Sequence, residues 1–309
     1  RQASASQSAG IIGMSHRAQL AFVFYPSALI YLFTIIGSLM VFFAIKLDFC
    51  LHSSLYFFIS VLSFLEIWYV TCTVPNMLVN FFSKTKTISF SGCFTQFHFF
   101  FSLGTTECFF LCVMAYDRYL AICHPLHYPS IMTGQLCGIL VSLCWLIGFL
   151  GHSISIFFIF QLPFCGPNII DHFLCDVDPL MALSSAPTHI IGHVFHSVSS
   201  LFINLTMVYI LGPNLGAQNC ALGSFFSWMA KGHLYLWVTL VVVSLFYGAI
   251  MLMYVSPTPG NSVAMHKLIT LIYSVVTPVL NPLIYSLRNK DMKYALHHVF
   301  CGMRIIQRS

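Results

Sequence analysis

Charge is what this sequence has least of: Asp, Glu, Lys and Arg make up 7% of its 309 residues, where soluble globular chains carry about 25%. A soluble domain with so few ionised groups cannot cover its surface, so a water-soluble fold is excluded. Basic clusters with interleaved aromatics are missing too, which excludes a nucleic-acid partner. The 12 cysteines form no tetrad with zinc-finger spacing, and the chain is too long and greasy for a small disulfide-stapled domain. Cys72, Cys108, Cys112, Cys137 and Cys144 lie inside apolar runs and read as core or lipid-facing residues. No HExxH, GxSxG or intramembrane acid pair at catalytic spacing occurs, so an enzyme is not expected. No repeat relates the two halves, which counts against a transporter with inverted repeats. The first 20 residues, RQASASQSAGIIGMSHRAQL, lack the apolar core of a signal peptide. The chain opens on Arg1 rather than Met, and an upstream start is expected.

Apolar mass fills the space that charge leaves. Hydrophobic residues make up 58% of the chain, Phe alone contributes 31, and the mean hydropathy is +0.86. Crossing a bilayer as a helix takes roughly 20 mostly apolar residues, and seven windows qualify: 22–45, 55–81, 97–122, 138–160, 190–211, 234–255 and 268–287. Every span must be helical, because each backbone N–H and C=O in hydrocarbon needs a partner within the chain. The expected fold is an all-α membrane protein, a seven-transmembrane helix bundle over 22–287, with residues 1–21 on one side and a tail, 288–309, on the other. The linkers SKTKTISFSG, HPLHYPSIMTG and SPTPGNSVAMHK carry the punctuation. Counting basic residues at the span ends sets Lys46, Arg118, Lys231, Arg288, Lys290, Lys293, Arg304 and Arg308 against Arg1, Arg17, Lys84, Lys86 and Lys267. The bias predicts an extracellular N terminus and a cytoplasmic tail.

One ionised pair, Asp117 beside Arg118, follows directly on the apolar run CFFLCVMAY. Charges near a membrane helix are costly unless paired or hydrated, which makes them functional candidates. An alternative is a plain stop signal with Arg118 snorkelling to headgroups. Spacing alone leaves both open.

The longer strings carry more. MAYDRYLAICHPLHY resembles the third-span signature of odorant receptors, a branch of the rhodopsin-like G-protein-coupled receptors. LHSSLYFFISVLSFLE in the second span, HFLCD in the second outer loop, SLFYG in the sixth span and TPVLNPLIYSLRNKDMKYAL from the seventh into the tail agree with it. The resemblance runs from about Gly37 to the end. It implies a receptor for a small, mostly apolar volatile odorant, acting on a heterotrimeric G protein of the olfactory stimulatory type to raise cAMP, in the plasma membrane and among its lipids, without a cofactor or metal. It also implies a switch made of Asp117, Arg118 and Tyr119 with Asn281, Pro282 and Tyr285; an ordinary membrane kink is the alternative for Pro282 alone. By the same resemblance, Cys93 and Cys175 form the loop-anchoring disulfide. His172, Cys175 and Asp176 then make a poor metal site, since a bonded Cys175 offers no thiolate. Glu66 and Glu107 match acids at an ion or water pocket, or are protonated structural carboxyls.

The resemblance also implies a ligand site in the outer half of the bundle, and it directs two sets of residues toward that site. Phe100, Phe101, Gly104 and Thr105 share adjoining faces of the third span, and Tyr247, Ile250, Met251 and Tyr254 one side of the sixth. Interhelical packing is the competing role for each aromatic. After the seventh span, Met292, Ala295, Leu296 and Val299 form the apolar stripe of a short amphipathic helix on the inner membrane surface, with Cys301 a weak palmitoylation signal.

Some family expectations fail. Ser38 stands where Asn is usual, Ser54 where Pro is usual, and Ser185 where a cysteine usually pairs with the match of Cys165. Between Pro213 and Leu240 the usual basic loop and KAFSTCxSH-like box are missing. Glycine, proline and polar residues after Leu211 predict an early end to the fifth span. Read one nucleotide out of phase, Trp228 and Met229 force Gly-Trp, and synonymous codons around them yield SSAGWQKAISTCGSH. The alternative to a signalling receptor that follows is a non-signalling, pseudogene-type one with a frameshifted stretch over about 213–240.

Overall fold

The computed structural model describes residues 27–48, 51, 53–83, 87–164, 170 and 174–223, with single positions 247, 248, 251, 278, 292 and 294. Apart from connecting turns and one isolated antiparallel bridge between Phe164 and Ser184, they form helices: α1 (Ser27–Leu47), α2 (Ser54–Phe82), α3 (Phe90–Cys123), α4 (Tyr128–Ile131), α5 (Gly134–Phe160), α6 (Val177–Ala182) and α7 (His189–Gly223). Five of these, α1, α2, α3, α5 and α7, are long and apolar enough to cross a membrane. They correspond to the first five windows read from sequence. The sixth and seventh windows, apart from positions 247, 248, 251 and 278, and the tail stripe, apart from Met292, lie outside the described residues.

The helix starts follow from local chemistry. Ser89 opens α3 by accepting the Gly92 N–H at 3.1 Å, so the third span begins at Phe90, one turn and more before the apolar window that signals it. Thr133 does the same for α5 through the Leu136 N–H at 3.3 Å. Each cap satisfies a donor that the first helical turn leaves without an intrahelical partner.

The third span is the axis. In its most apolar stretch 72% of the residues are buried, against 28% in α1 and α7 and 29% in α5. Helices α2, α5 and α7 pack around α3. Leu29, Phe33 and Ile36 on α1, Leu146, Leu150 and Ile154 on α5, and Leu201, Leu205 and Val208 on α7 remain exposed, as a lipid-facing surface requires. Met292, from the tail stripe, is buried in a core cluster with Val41, Phe58 and Phe110.

One expectation from the sequence is overturned. The fifth span does not stop after Leu211; α7 continues through Pro213 to Gly223. Proline removes one backbone hydrogen bond, the one that would reach the Tyr209 carbonyl, and beside it the Asn214 side-chain amide adds a bond to the Ile210 carbonyl at 2.8 Å. Packing supplies the rest. Ala217 is fully buried, and at Gly216 an added Cβ would lie 3.0 Å from the Tyr119 ring of α3. A disulfide, Cys123–Cys220, joins the two helices with their Cα atoms 5.7 Å apart. Tertiary contact here overrides a weak helix propensity, which is the usual order of strengths.

At the opposite end of α3, Cys93 is bonded to Cys175, Cα atoms 5.5 Å apart. The loop carrying Cys175 is held a second time, its N–H donating to Gln96 Oε1 at 3.4 Å while Gln96 Nε2 donates to the Cys72 carbonyl of α2 at 2.9 Å. Asp176 caps α6 through the Val177 N–H at 2.7 Å. We expect Cys175→Ser to cost about 2–5 kcal/mol, the range for a native disulfide closing a long loop. Thermal unfolding of the purified protein with and without the bond measures it, and an unchanged midpoint would refute the estimate.

Candidate functional site

Two sites emerge, one at each end of α3. At its C-terminal end Asp117 is 1% exposed, and its carboxylate is shared. Oδ2 accepts from Arg118 Nη2 at 2.7 Å, and Oδ1 accepts from the Tyr128 hydroxyl at 2.8 Å. Tyr128 also bonds the Ser54 hydroxyl at the start of α2. The turn HPLHY doubles the chain back so that α4 delivers this phenol to a carboxylate 11 residues earlier. Burial, foremost, and the neighbouring Asp117 charge push the Tyr128 phenol up to about 12 despite the Ser54 hydrogen bond and Arg118. It therefore stays a proton donor at neutral pH. Tyr119 turns its ring toward α7 and lies against Gly216.

Sequence reasoning picked out Asp117, Arg118 and Tyr119 but missed Tyr128 and the part played by Ser54. No periodic signal links them, because the contacts run across a turn and between helices. A tyrosine just past the Asp-Arg pair, in a linker otherwise punctuated by His and Pro, was the available clue. Asn281, Pro282 and Tyr285 lie outside the described residues.

In the interior of the bundle, Glu66 is buried and its Oε2 accepts from the Ser38 hydroxyl of α1 at 3.3 Å. The serine that replaces the usual asparagine thus still reaches the acid of α2. Glu107 is equally buried.

Toward the disulfide end a cavity opens between α2, α3, α5 and α7, about 480 Å³ counting its mouth. Phe100, Phe101, Gly104 and Thr105 all line it. All four of the third-span residues singled out from sequence therefore meet in one space. Tyr69, Cys108, His152, Ser199, Phe202 and Ile203 complete its wall. Tyr69 stacks on Phe100 with ring centroids 5.3 Å apart, and the Tyr69 ring lies beside Gly104, at ordinary contact distance from where a Cβ would stand.

Of the sixth-span residues, Tyr247 is fully buried and donates its hydroxyl to Thr206 Oγ1 at 2.8 Å. Met251 packs against the same core cluster. Ile250 and Tyr254 lie outside the described residues. His152 was missed: read within GFLGHSISIFF it passed for part of an apolar run. The signal was present, since an ionisable side chain in the middle of a span is by default a functional candidate. Among the described residues, no group of three or more His, Cys, Asp or Glu is placed to hold a metal ion.

The family model described as olfactory receptor matches residues 27–303. The human protein Olfactory receptor 11H7 is 78% identical over 302 residues, covering 97% of this chain and 96% of that protein. Human Olfactory receptor 11H4 is 58% identical over 292 residues, 93% and 89% of the two chains. Human Olfactory receptor 11H6 is 53% identical over 303 residues, 96% and 90% of the two. The likeness to the first of these spans nearly the whole chain, the 213–240 region within it, and lends the frameshift reading no support.

Proposed function

The chain belongs to the olfactory receptor family, multi-pass membrane receptors that signal through G proteins rather than enzymes, and on that premise we propose that the α3-lined cavity receives its odorant and that Asp117 and Arg118 form its switch. The observation that carries the ligand half is the convergence of Phe100, Phe101, Gly104 and Thr105 on one cavity. Its walls are mostly apolar with a few polar groups, as suits a small volatile molecule.

The rest of the bundle is completed by two further spans over about 234–255 and 268–287, with the N terminus extracellular and the tail cytoplasmic. This orientation puts the Cys93–Cys175 bond outside, where oxidation is favoured, and Asp117 at the cytoplasmic mouth. There the Asp117, Arg118 and Tyr128 cluster ties α3 to the α4 turn and α2. A cluster of charge-assisted hydrogen bonds that trades partners when helices separate supplies the two-state element that a switch needs. Asn281, Pro282 and Tyr285 act as the matching hinge of the seventh span. The partner is a stimulatory G protein of the olfactory type, and the site of action the plasma membrane. Binding biases the bundle toward its active arrangement by population shift.

The test is a cAMP reporter in cells that display the full-length chain, exposed to a broad panel of volatile odorants. A dose-dependent rise is expected. Silence across the panel at verified surface display would sink the reading.

The same orientation has a chemical consequence for Cys123 and Cys220. Both would face the reducing cytosol, where thiols are kept reduced, so the bond of the structure would open in the resting cell and leave the Gly216 and Ala217 contacts to hold α7 against α3. Rapid alkylation in acid-quenched resting cells should label both cysteines, and prior treatment with hydrogen peroxide should protect both by closing the bond. Protection without peroxide would argue against the cytoplasmic placement.

A further inference from the structure

Within the cavity wall, two polar groups stand apart from the rest. His152 of α5 is 2% exposed and Ser199 of α7 is 5% exposed. The Nδ1 of the one and the Oγ of the other are buried without a hydrogen-bond partner. Buried polar atoms are almost always paired, because leaving one unpaired forfeits its hydration with nothing in return. Two such atoms on opposing helices, both belonging to residues that line the same cavity, call for a common partner.

The surroundings hold the imidazole in place. Its ring sits 5.8 Å from that of Phe101, 5.3 Å from Phe195 and 5.8 Å from Phe202, centroid to centroid. Aromatic neighbours on three sides fix the ring but offer it no conventional acceptor or donor. A neutral imidazole carries one N–H and one lone pair, and a hydroxyl can both give and accept. Together they match a single oxygen function on an otherwise apolar molecule.

We infer that His152 and Ser199 are the polar anchor of the cavity, selecting small apolar ligands that end in one oxygen head, an alcohol, aldehyde or carboxylic acid, whose body lies on Phe100, Phe101 and Phe202. This rests on the reading of the cavity as the odorant site and adds to it which side chains set specificity. Desolvation makes the pair selective. A hydrocarbon of the same shape fills the space and leaves both polar atoms unpaired, so it binds more weakly for the same reason that buried hydrogen-bonding sites reject analogues lacking the matching group.

The experiment uses the purified full-length receptor in lipid nanodiscs and the same receptor in the cAMP reporter cells. The probes are 1-octanol, octanal, octanoic acid and octane, with benzyl alcohol, benzaldehyde, benzoic acid and toluene as a ring set. A ligand that binds only the folded protein raises its unfolding midpoint. At least one oxygenated member should stabilise the receptor at about tenfold lower concentration than its hydrocarbon, the worth of one good buried hydrogen bond. His152→Phe keeps the ring contacts and should erase that preference. Should it fail to fold, Ser199→Ala serves the same purpose with a smaller expected loss. Which head gives the largest shift separates the alcohol, aldehyde and acid cases.

Equal shifts for oxygenated and hydrocarbon members would overturn the anchor, leaving the two atoms to buried water. An undiminished preference in both variants, or no shift with any probe, would overturn it too. Stabilisation without a cAMP rise supports the anchor and sinks the signalling reading instead. A cAMP response that ignores the head group and both substitutions does the reverse.

Discussion

Arg118→Ala should abolish ligand-driven cAMP at unchanged surface level, and Asp117→Asn should raise the signal in the absence of ligand. Asp117 is buried and accepts two hydrogen bonds, from Arg118 at 2.7 Å and Tyr128 at 2.8 Å. One of them is charge-assisted on both sides, the stronger kind. Converting the carboxylate to an amide removes its charge and one of its acceptor oxygens while keeping its shape. A hydrogen bond to a charged group contributes about 1.5–3 kcal/mol, so the resting arrangement should lose on the order of 2 kcal/mol. That corresponds to roughly a 30-fold change in the ratio of resting to active states. In the proposed switch Arg118 would be needed in both states, held by Asp117 at rest and released toward the G protein on activation, so its removal should silence rather than activate.

Tyr128→Phe grades the same argument. It deletes one bond to Asp117 and the link to Ser54 but leaves the ion pair, so its basal signal should lie between wild type and Asp117→Asn. A basal level in Asp117→Asn equal to wild type, or normal ligand response in Arg118→Ala, would remove the pair from the switch and return it to the role of a helix-end stop signal.

How much of this was legible depended on the range of the interaction. Span-length apolar runs are a local property, and the first five appear as helices where the windows place them, extended at α3 and α5 by caps that need only a Ser or Thr and a nearby N–H. The four α3 residues of the cavity were readable because helical spacing puts them on adjoining faces and the family resemblance turns those faces toward the ligand site. What failed was everything decided by a neighbour distant in sequence. Pro213 argues for an ending when read along the chain, yet α7 continues because Gly216, Ala217 and Cys220 find α3 beside them. Tyr128 shows no periodicity with Asp117. His152 is bland in its own run and gains meaning only when Ser199, from another helix, lines the same space. Family resemblance supplied part of the missing long-range information, the pairing of Cys93 with Cys175 above all, because such strings record contacts that local patterns cannot.

A large structural effect is expected from the smallest side chain in the bundle. Gly148 of α5 faces α3 so closely that an added Cβ would lie 2.0 Å from Thr106 Oγ1 and 2.8 Å from the Ser102 carbonyl oxygen. Both neighbours are fully buried, and the Thr106 hydroxyl is already committed to that carbonyl at 2.8 Å. The hydroxyl can rotate away, but the backbone oxygen cannot, so Gly148→Ala forces the two helices apart. In a bilayer close approach through small residues is a main source of helix association, since lipid tails compete for every apolar contact. Overpacking of a tight core costs about 1–3 kcal/mol, and Gly148→Val should exceed Gly148→Ala. The damage reaches the ligand site, because His152 lies one turn along α5 from Gly148, and Phe101 and Thr105 flank Ser102 and Thr106 on α3. Odorant response should therefore fall further than surface display does. Thr106→Ala removes the nearer clash and should recover part of the stability lost by Gly148→Ala but not all of it, since the Ser102 oxygen remains. Unfolding midpoints of the wild type, the two single variants and the double variant form the cycle that decides it. Strict additivity, or a Gly148→Ala receptor as stable as wild type, would mean that α3 and α5 have room to spare at this crossing.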